Sequence, residues 1–164
     1  ARGEDGDDTF VINMASAMKK LGPQFFFDSE NAIDGGAGND TIKFGEDGFD
    51  AGVVVDLTAG TIERGKSADK VNSIEDVFGT VFADTIKGGA DANMLAGDGG
   101  DDIMFGEGGD DNLFGGTGAD KITGGAGSDD MFGGAGNDKM LGGSGRDDIN
   151  GGSGSEVKRR RKSS

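Results

Sequence analysis

The sequence predicts an all-β chain wound as a coil, with short parallel strands on two facing sheets. Three observations carry this expectation. Glycine fills 35 of the 164 positions. A nine-residue pattern runs without a gap from Gly79 to Asn150. Each unit ends in x-apolar-x, which is too short for a helix and suits one strand.

The eight units read GTVFADTIK, GGADANMLA, GDGGDDIMF, GEGGDDNLF, GGTGADKIT, GGAGSDDMF, GGAGNDKML and GGSGRDDIN. Position 1 is always Gly, position 4 is Gly in six units, and position 6 is Asp in seven, with Asn93 the exception. Position 8 is always apolar: Ile86, Leu95, Met104, Leu113, Ile122, Met131, Met140 and Ile149. Glycines at positions 1, 2 and 4 let the backbone take positive φ and turn sharply. Strand neighbours face opposite ways, so position 8 points inward and positions 7 and 9 outward. Two units make one coil of 18 residues, and coils stack about 4.8 Å apart. A flexible acidic linker would need no phased apolar residue.

Loops one coil apart share an edge. One edge carries Asp84, Asp102, Asp120 and Asp138; the other carries Asn93, Asp111, Asp129 and Asp147. Such a ladder repels itself unless cations lie between its rungs. The rest of the composition points the same way. The net charge is −15, and with five of the sixteen basic residues confined to Lys158 to Lys162, residues 1–155 hold 11 basic against 30 acidic side chains. An apolar content of 33%, with no Trp or Tyr, makes an ordinary core hard to build. Cysteine and histidine are both missing, which removes disulfides and the preferred ligands of zinc, copper and haem. Carboxylate and carbonyl oxygen remain, the ligands of a hard cation. Calcium fits, taking six to eight oxygens at about 2.3–2.6 Å, whereas magnesium holds its waters and demands stricter geometry.

GGxGxDxUx, with U a large apolar residue, resembles the repeat of the RTX, or haemolysin-type calcium-binding, family. The resemblance implies a parallel β-roll, a right-handed β-helix, with wider irregular coils in the N-terminal half. It also implies a secreted bacterial protein, exported by a type I system and folded outside the cell. Each ion is then clasped between two stacked loops. One gives its carbonyls at positions 2 and 4, the next gives those at 1 and 3, and both give the position-6 Asp. Carried over, this assigns Asp98, Gly100 and Asp102 with Gly115, Thr117 and Asp120. It assigns Glu107, Gly109 and Asp111 with Gly124, Ala126 and Asp129. It pairs Gly116, Gly118 and Asp120 with Gly133, Ala135 and Asp138. It pairs Gly125, Gly127 and Asp129 with Gly142, Ser144 and Asp147. Four ions at least are expected. Weaker sites would join Asp84 to Asp102 with Gly97 and Gly99, and Asn93 to Asp111 with Gly106 and Gly108, because Thr80, Phe82 and Asp91 replace loop glycines there. The turn at 151–156 puts Glu156 where Asp belongs and Lys158 in the apolar slot, so a site joining Asp138 to Glu156 is less expected still.

The N-terminal half is less regular. Residues 3–10 read as the tail of an earlier array, with Asp8 in the ligand slot and Phe10 in the apolar one. Gly35 to Lys43 is a full repeat, with Asp40 and Ile42, and 45–50 resembles another loop. An insertion at 12–34 separates them. Within it Ala15 to Leu21 suits a short helix ended by Gly22-Pro23, and Phe25 to Phe27 suit packing against the roll. Val53 to Leu57 reads as a strand, and Ile74 to Gly79 leads into the array. The expected organisation is a degenerate segment at 1–78, a regular roll at 79–156 and a disordered basic tail at 157–164. Position 9 holds Phe105, Phe114, Phe132 and Leu141. An outward aromatic ladder of Phe114 and Phe132 is expected to be covered, by the N-terminal segment or a neighbouring molecule.

Function follows from the ligands. The leading expectation is a calcium-binding module that folds on meeting extracellular calcium. An adhesion or carbohydrate-binding accessory of a larger secreted enzyme or adhesin is the alternative, with a polysaccharide or a neighbouring domain as partner. No enzymatic activity is expected, since no histidine, cysteine or serine nucleophile motif with a visible base occurs. The acidic body opposes nucleic-acid binding despite the basic tail. No apolar stretch is long enough to span a membrane. Ala1 to Glu4 does not read as a signal peptide, so export by another route, or a piece of a longer chain, is expected.

Overall fold

The computed structural model describes residues 2–3, 5–12, 32–45, 49–64, 67–154 and 157–159. Among these there is no helix. The strands are β1 (Thr9–Ile12), β2 (Ala32–Asp34), β3 (Thr41–Phe44), β4 (Val54–Asp56), β5 (Thr61–Arg64), β6 (Ser67–Asn72), β7 (Asp76–Phe78) and β8 (Thr85–Lys87). They continue as β9 (Met94–Gly99), β10 (Ile103–Gly108), β11 (Asn112–Thr117), β12 (Lys121–Ala126), β13 (Asp130–Ala135), β14 (Lys139–Ser144), β15 (Asp148–Asn150) and β16 (Val157–Arg159).

From β6 onward successive strands alternate between two sheets, as a coil of nonapeptides requires. One sheet runs β1-β3-β7-β9-β11-β13-β15, the other β16-β14-β12-β10-β8-β4-β5-β6-β2. In the array the register is 18 residues, as in Leu113 on Met131 and Met104 on Ile122. Upstream the coils widen. Phe10 stacks on Ile42 at a spacing of 32, and Ile42 on Val77 at 35. On the facing sheet Val55 stacks on Ile86 at 31.

Two features differ from the sequence expectation. Array strands β9 to β14 are six residues long, not three, because pairing resumes in the next loop, with Gly116 on Gly134 and Thr117 on Ala135. The second sheet is also not wholly parallel, since β4, β5 and β6 pair antiparallel. The Asp56 carboxylate accepts the Ala59 N–H at 2.7 Å, and Gly60 has φ 68°. That tight turn reverses the chain, and a direct reversal gives an antiparallel pair.

The core is one thin column per sheet. All eight position-8 side chains are buried, continued upstream by Ile42, Val55 and Val77. Phe44 and Phe49 meet edge to face at 5.7 Å and close part of the wider coils. Phe114 and Phe132 stack on adjacent strands and remain 42% and 41% exposed. The expected cover is not found among the described residues; each ring is shielded in part by its strand neighbours.

Other expectations reach past the described residues. Most of the insertion lies outside them, including the helix at 15–21 and Phe25 to Phe27, although Ile12 ends β1 and Ala32–Asp34 form β2. Glu46 to Gly48 and Glu156 also lie outside. The tail is corrected at its start. Val157–Arg159 form a strand on the open edge of β14, whose unpaired backbone groups accept one more parallel neighbour. Residues 160–164 lie outside.

Candidate metal centre

Position 6 closes each loop just before a strand, so both sheets carry it to a loop edge of the roll. On the edge beside the seven-stranded sheet the succession is Asp8, Asp40, Glu75, Asn93, Asp111, Asp129 and Asp147, each two residues before an inward side chain. On the other edge it is Val53, Asp84, Asp102, Asp120 and Asp138.

The two oxygens of each array carboxylate have different surroundings. Oδ1 accepts the backbone N–H of the position-6 residue one coil earlier. Asp102 takes it from Asp84 at 2.8 Å, Asp111 from Asn93 at 2.8 Å and Asp120 from Asp102 at 2.9 Å. Asp129, Asp138 and Asp147 repeat this at 3.1, 3.0 and 3.3 Å. Oδ2 has no partner in Asp40, Asp102, Asp111, Asp120, Asp129 and Asp138, all buried. A buried unpaired carboxylate oxygen is costly. Burial pushes the Asp102 carboxyl up to about 7 and Asp111 up to about 6, and raises Asp84, Asp120 and Asp129 in the same direction. Neighbouring carboxylates add to the rise.

The glycines beside these oxygens leave a cradle. A Cβ on Gly115 would overlap Asp120 Oδ2 and come within 2.5 Å of the Gly133 carbonyl oxygen. Gly97, Gly106, Gly124 and Gly133 repeat this with Asp102, Asp111, Asp129 and Asp138 and with the position-1 carbonyls of Gly115, Gly124, Gly142 and Gly151. Position-2 and position-4 carbonyls point into the same gaps between coils. A Cβ on Gly116 would meet the Asp98 carbonyl, one on Gly125 that of Glu107, one on Gly118 that of Gly100, and one on Gly127 that of Gly109. Likewise the carbonyls of Gly116, Gly118, Gly125 and Gly127 face Gly134, Gly136, Gly143 and Gly145. Asp98 and Glu107 hold the position-2 turn at φ 75° and 74° without being glycine.

Carbonyls at both positions 2 and 3 also serve the backbone ladder, as where the Gly134 carbonyl accepts the Ser153 N–H at 2.7 Å. The carbonyls of Thr117, Ala135 and Ser144 already accept N–H groups of Gly100, Gly118 and Gly127 at 2.9 Å each, leaving one lone pair apiece. Ala126 pairs with Gly108 in the strand register. Gly99 donates to the Thr80 carbonyl at 3.2 Å and Gly108 to that of Gly89 at 3.1 Å, so both stay in the loop ladder. No group of three or more acidic side chains converges among the described residues. The oxygens gathered in each gap are one orphaned carboxylate oxygen with main-chain carbonyls, which suits a hard cation.

The upstream rungs are built otherwise. Both oxygens of Asp84 are taken, by the Thr80 N–H at 2.6 Å, the Val53 N–H at 2.7 Å and the Thr80 hydroxyl at 3.0 Å. Asn93 accepts the Gly89 N–H at 2.7 Å and donates its amide to the Glu75 carbonyl at 2.7 Å. Asp40 Oδ1 accepts the Asp8 N–H at 2.8 Å, and the Asp40 N–H donates to Glu75 Oε2 at 2.8 Å. Sequence reasoning missed Glu75, although its place two residues before the apolar Val77 was the signal. It also missed Thr80, Asp101 and Asp110. Asp101 and Asp110 accept the N–H groups of Ala119 at 2.8 Å and Ser128 at 2.7 Å, and the doubled Asp at 101–102 and 110–111 marked them.

Comparison with known families matches four copies of the RTX calcium-binding nonapeptide repeat, at residues 28–50, 78–113, 105–140 and 131–155. These cover more than half of the chain. No curated protein matches it. With its nonapeptide coil, its two parallel-rich sheets and its edges of buried aspartates, the chain belongs to the RTX calcium-binding nonapeptide repeat family.

Proposed function

We propose that this β-roll is a calcium-gated folding module of a secreted bacterial protein. One observation carries the reading: the orphaned Oδ2 atoms of Asp102, Asp111, Asp120, Asp129 and Asp138. In the absence of a cation each is a desolvated charge without a partner, and the thin core offers little to offset it. Bound calcium supplies positive charge and oxygen coordination between coils, so its binding free energy becomes folding free energy. The ligand sets are those named for the gaps from Asp102–Asp120 to Asp129–Asp147. Extracellular calcium modules have dissociation constants of about 10⁻⁴ to 10⁻³ M. Such sites stay empty in a cytosol and fill outside it, which lets the chain be exported unfolded. In this reading 79–156 is the regular roll, 1–78 its irregular N-terminal partner and 157–164 a basic tail.

The test is far-UV circular dichroism during calcium titration, followed by chelation. The expected result is a cooperative gain of strand signal that reverses on chelation. A spectrum indifferent to calcium would overturn the reading.

A second reading draws on the half-exposed Phe114 and Phe132, flanked on their sheet face by Asn112, Asp130 and Asp148. Apolar rings beside hydrogen-bonding groups suit a carbohydrate-binding or adhesive accessory role. Polysaccharide binding measured with and without calcium separates the two readings.

A further inference from the structure

Three observations give the carboxylate ladder a direction. Its first array rungs are satisfied within the protein: Thr80 and Val53 occupy both oxygens of Asp84, and Asn93 bonds Gly89 and the Glu75 carbonyl. Within the array the orphaned oxygens begin one coil later, at Asp102 and Asp111, which are docked onto those rungs through the N–H groups of Asp84 and Asn93.

The third observation lies at position 5. Asp101 and Asp110 stand beside these first orphaned carboxylates. Each is tied to the following coil by the Ala119 or Ser128 N–H. That bond fixes an extra carboxylate at the mouth of the gap between coils. Asp101 lies near enough to act on both Asp102 and Asp120, and Asp110 on both Asp111 and Asp129. In the loops that follow, position 5 is Ala119, Ser128, Asn137 and Arg146. None is a carboxylate, and the last is a cation.

We propose that Asp101 and Asp110 are affinity determinants that make the Asp102–Asp120 and Asp111–Asp129 gaps take calcium first, so that the roll closes from this end toward β15. This rests on the calcium-binding reading above. Asp101 and Asp110 are positioning residues: they raise the negative potential at the gap without a required place among the ligands. A fixed charge at such range is worth about a three- to tenfold change in affinity for a divalent ion, less at high salt.

The test is calcium titration calorimetry on the full chain, compared with the D101N/D110N variant. Asparagine keeps the oxygen that accepts the Ala119 and Ser128 N–H groups, so charge alone changes. The expected result is about three- to tenfold weaker binding in the tighter class, with the number of ions unchanged. A119D/S128D should tighten the weaker class by a similar factor. Hydrogen exchange at sub-saturating calcium should protect β11 and β12 before β14 and β15. Wild-type affinities in D101N/D110N, or protection that begins at β14 and β15, would overturn this proposal while leaving calcium binding intact. No calcium uptake by the wild-type chain would overturn both.

Discussion

Asp120 is bonded to Asp102 through one carboxylate oxygen and left unpartnered at the other: Oδ1 accepts the Asp102 N–H at 2.9 Å, and the buried Oδ2 has no hydrogen bond. The same side chain thus ties two coils together and presents a charge to the space between them. The Asp120 N–H in turn donates to Asp138 Oδ1 at 3.0 Å. An interior rung therefore stands in two gaps, whereas Asp147 closes the edge among the described residues.

This division predicts unequal effects along the ladder. Asp120→Asn keeps the acceptor for Asp102 but places an N–H₂ group where Oδ2 stood. It should lose the ions on both of its faces, while Asp147→Asn should lose one. Metal content after dialysis against calcium buffer, read by atomic emission, checks this. Equal losses in the two variants would contradict it.

Glycine at position 1 should matter for room, not for backbone freedom. A Cβ on Gly115 would fill the cradle beside Asp120 Oδ2. The nearest atom to a Cβ on Gly108 is 3.7 Å away, and its φ is ordinary. Gly115→Ala should therefore cost more than about 2 kcal/mol of calcium-loaded stability, and Gly108→Ala less than about 0.5 kcal/mol. Urea unfolding in saturating calcium measures both.

Much of this was legible in the sequence because a nonapeptide repeats one physical solution. Gly, Asp and an apolar residue kept in phase from Gly79 to Asn150 fix turn, edge and core together, and every position-8 side chain is buried as the period requires. Where the period breaks, legibility fades. The antiparallel β4–β5–β6 meander depends on the turn at Asp56 to Gly60, which no repeat announces. Glu75 joins the edge only because a 35-residue coil brings it beneath Asp40. Thr80 satisfies Asp84 through a hydroxyl that the motif counts as a departure. The motif leaves position 5 open, and the bonds that Asp101 and Asp110 make across coils follow from the fold.

Asn93 offers a test of that local logic. Its amide donates to the Glu75 carbonyl at 2.7 Å in a buried setting. Asn93→Asp restores the motif but sets a carboxylate oxygen against that carbonyl. The calcium-free chain should lose about 1–3 kcal/mol wherever this region is folded. Saturating calcium should recover the loss and add one ion. Unfolding curves with and without chelator, together with metal content, read both effects. A variant as stable as the parent in chelator would show that the amide bond is dispensable.

The chelated chain should respond to acid in the unusual direction. Burial lifts the Asp102 carboxyl from the ordinary 3.8 to about 7 and Asp111 to about 6. Asp69, buried on β6, is lifted to about 6 by the same cause. With these raised values the folded chain holds more protons than the unfolded one between about pH 4 and pH 7. Acidification through that window therefore stabilises the calcium-free roll, and raising the pH through 7 removes the gain. In calcium the dependence runs the other way, because protons compete with the ion for the same oxygens. Circular dichroism in chelator should show strand signal growing as the pH falls from 8 to 5. In limiting calcium the half-saturation concentration should rise over the same range. Strand signal that declines on acidification in chelator would mean that these carboxylates are not desolvated in the calcium-free chain, and that the roll does not form there until the ion is bound.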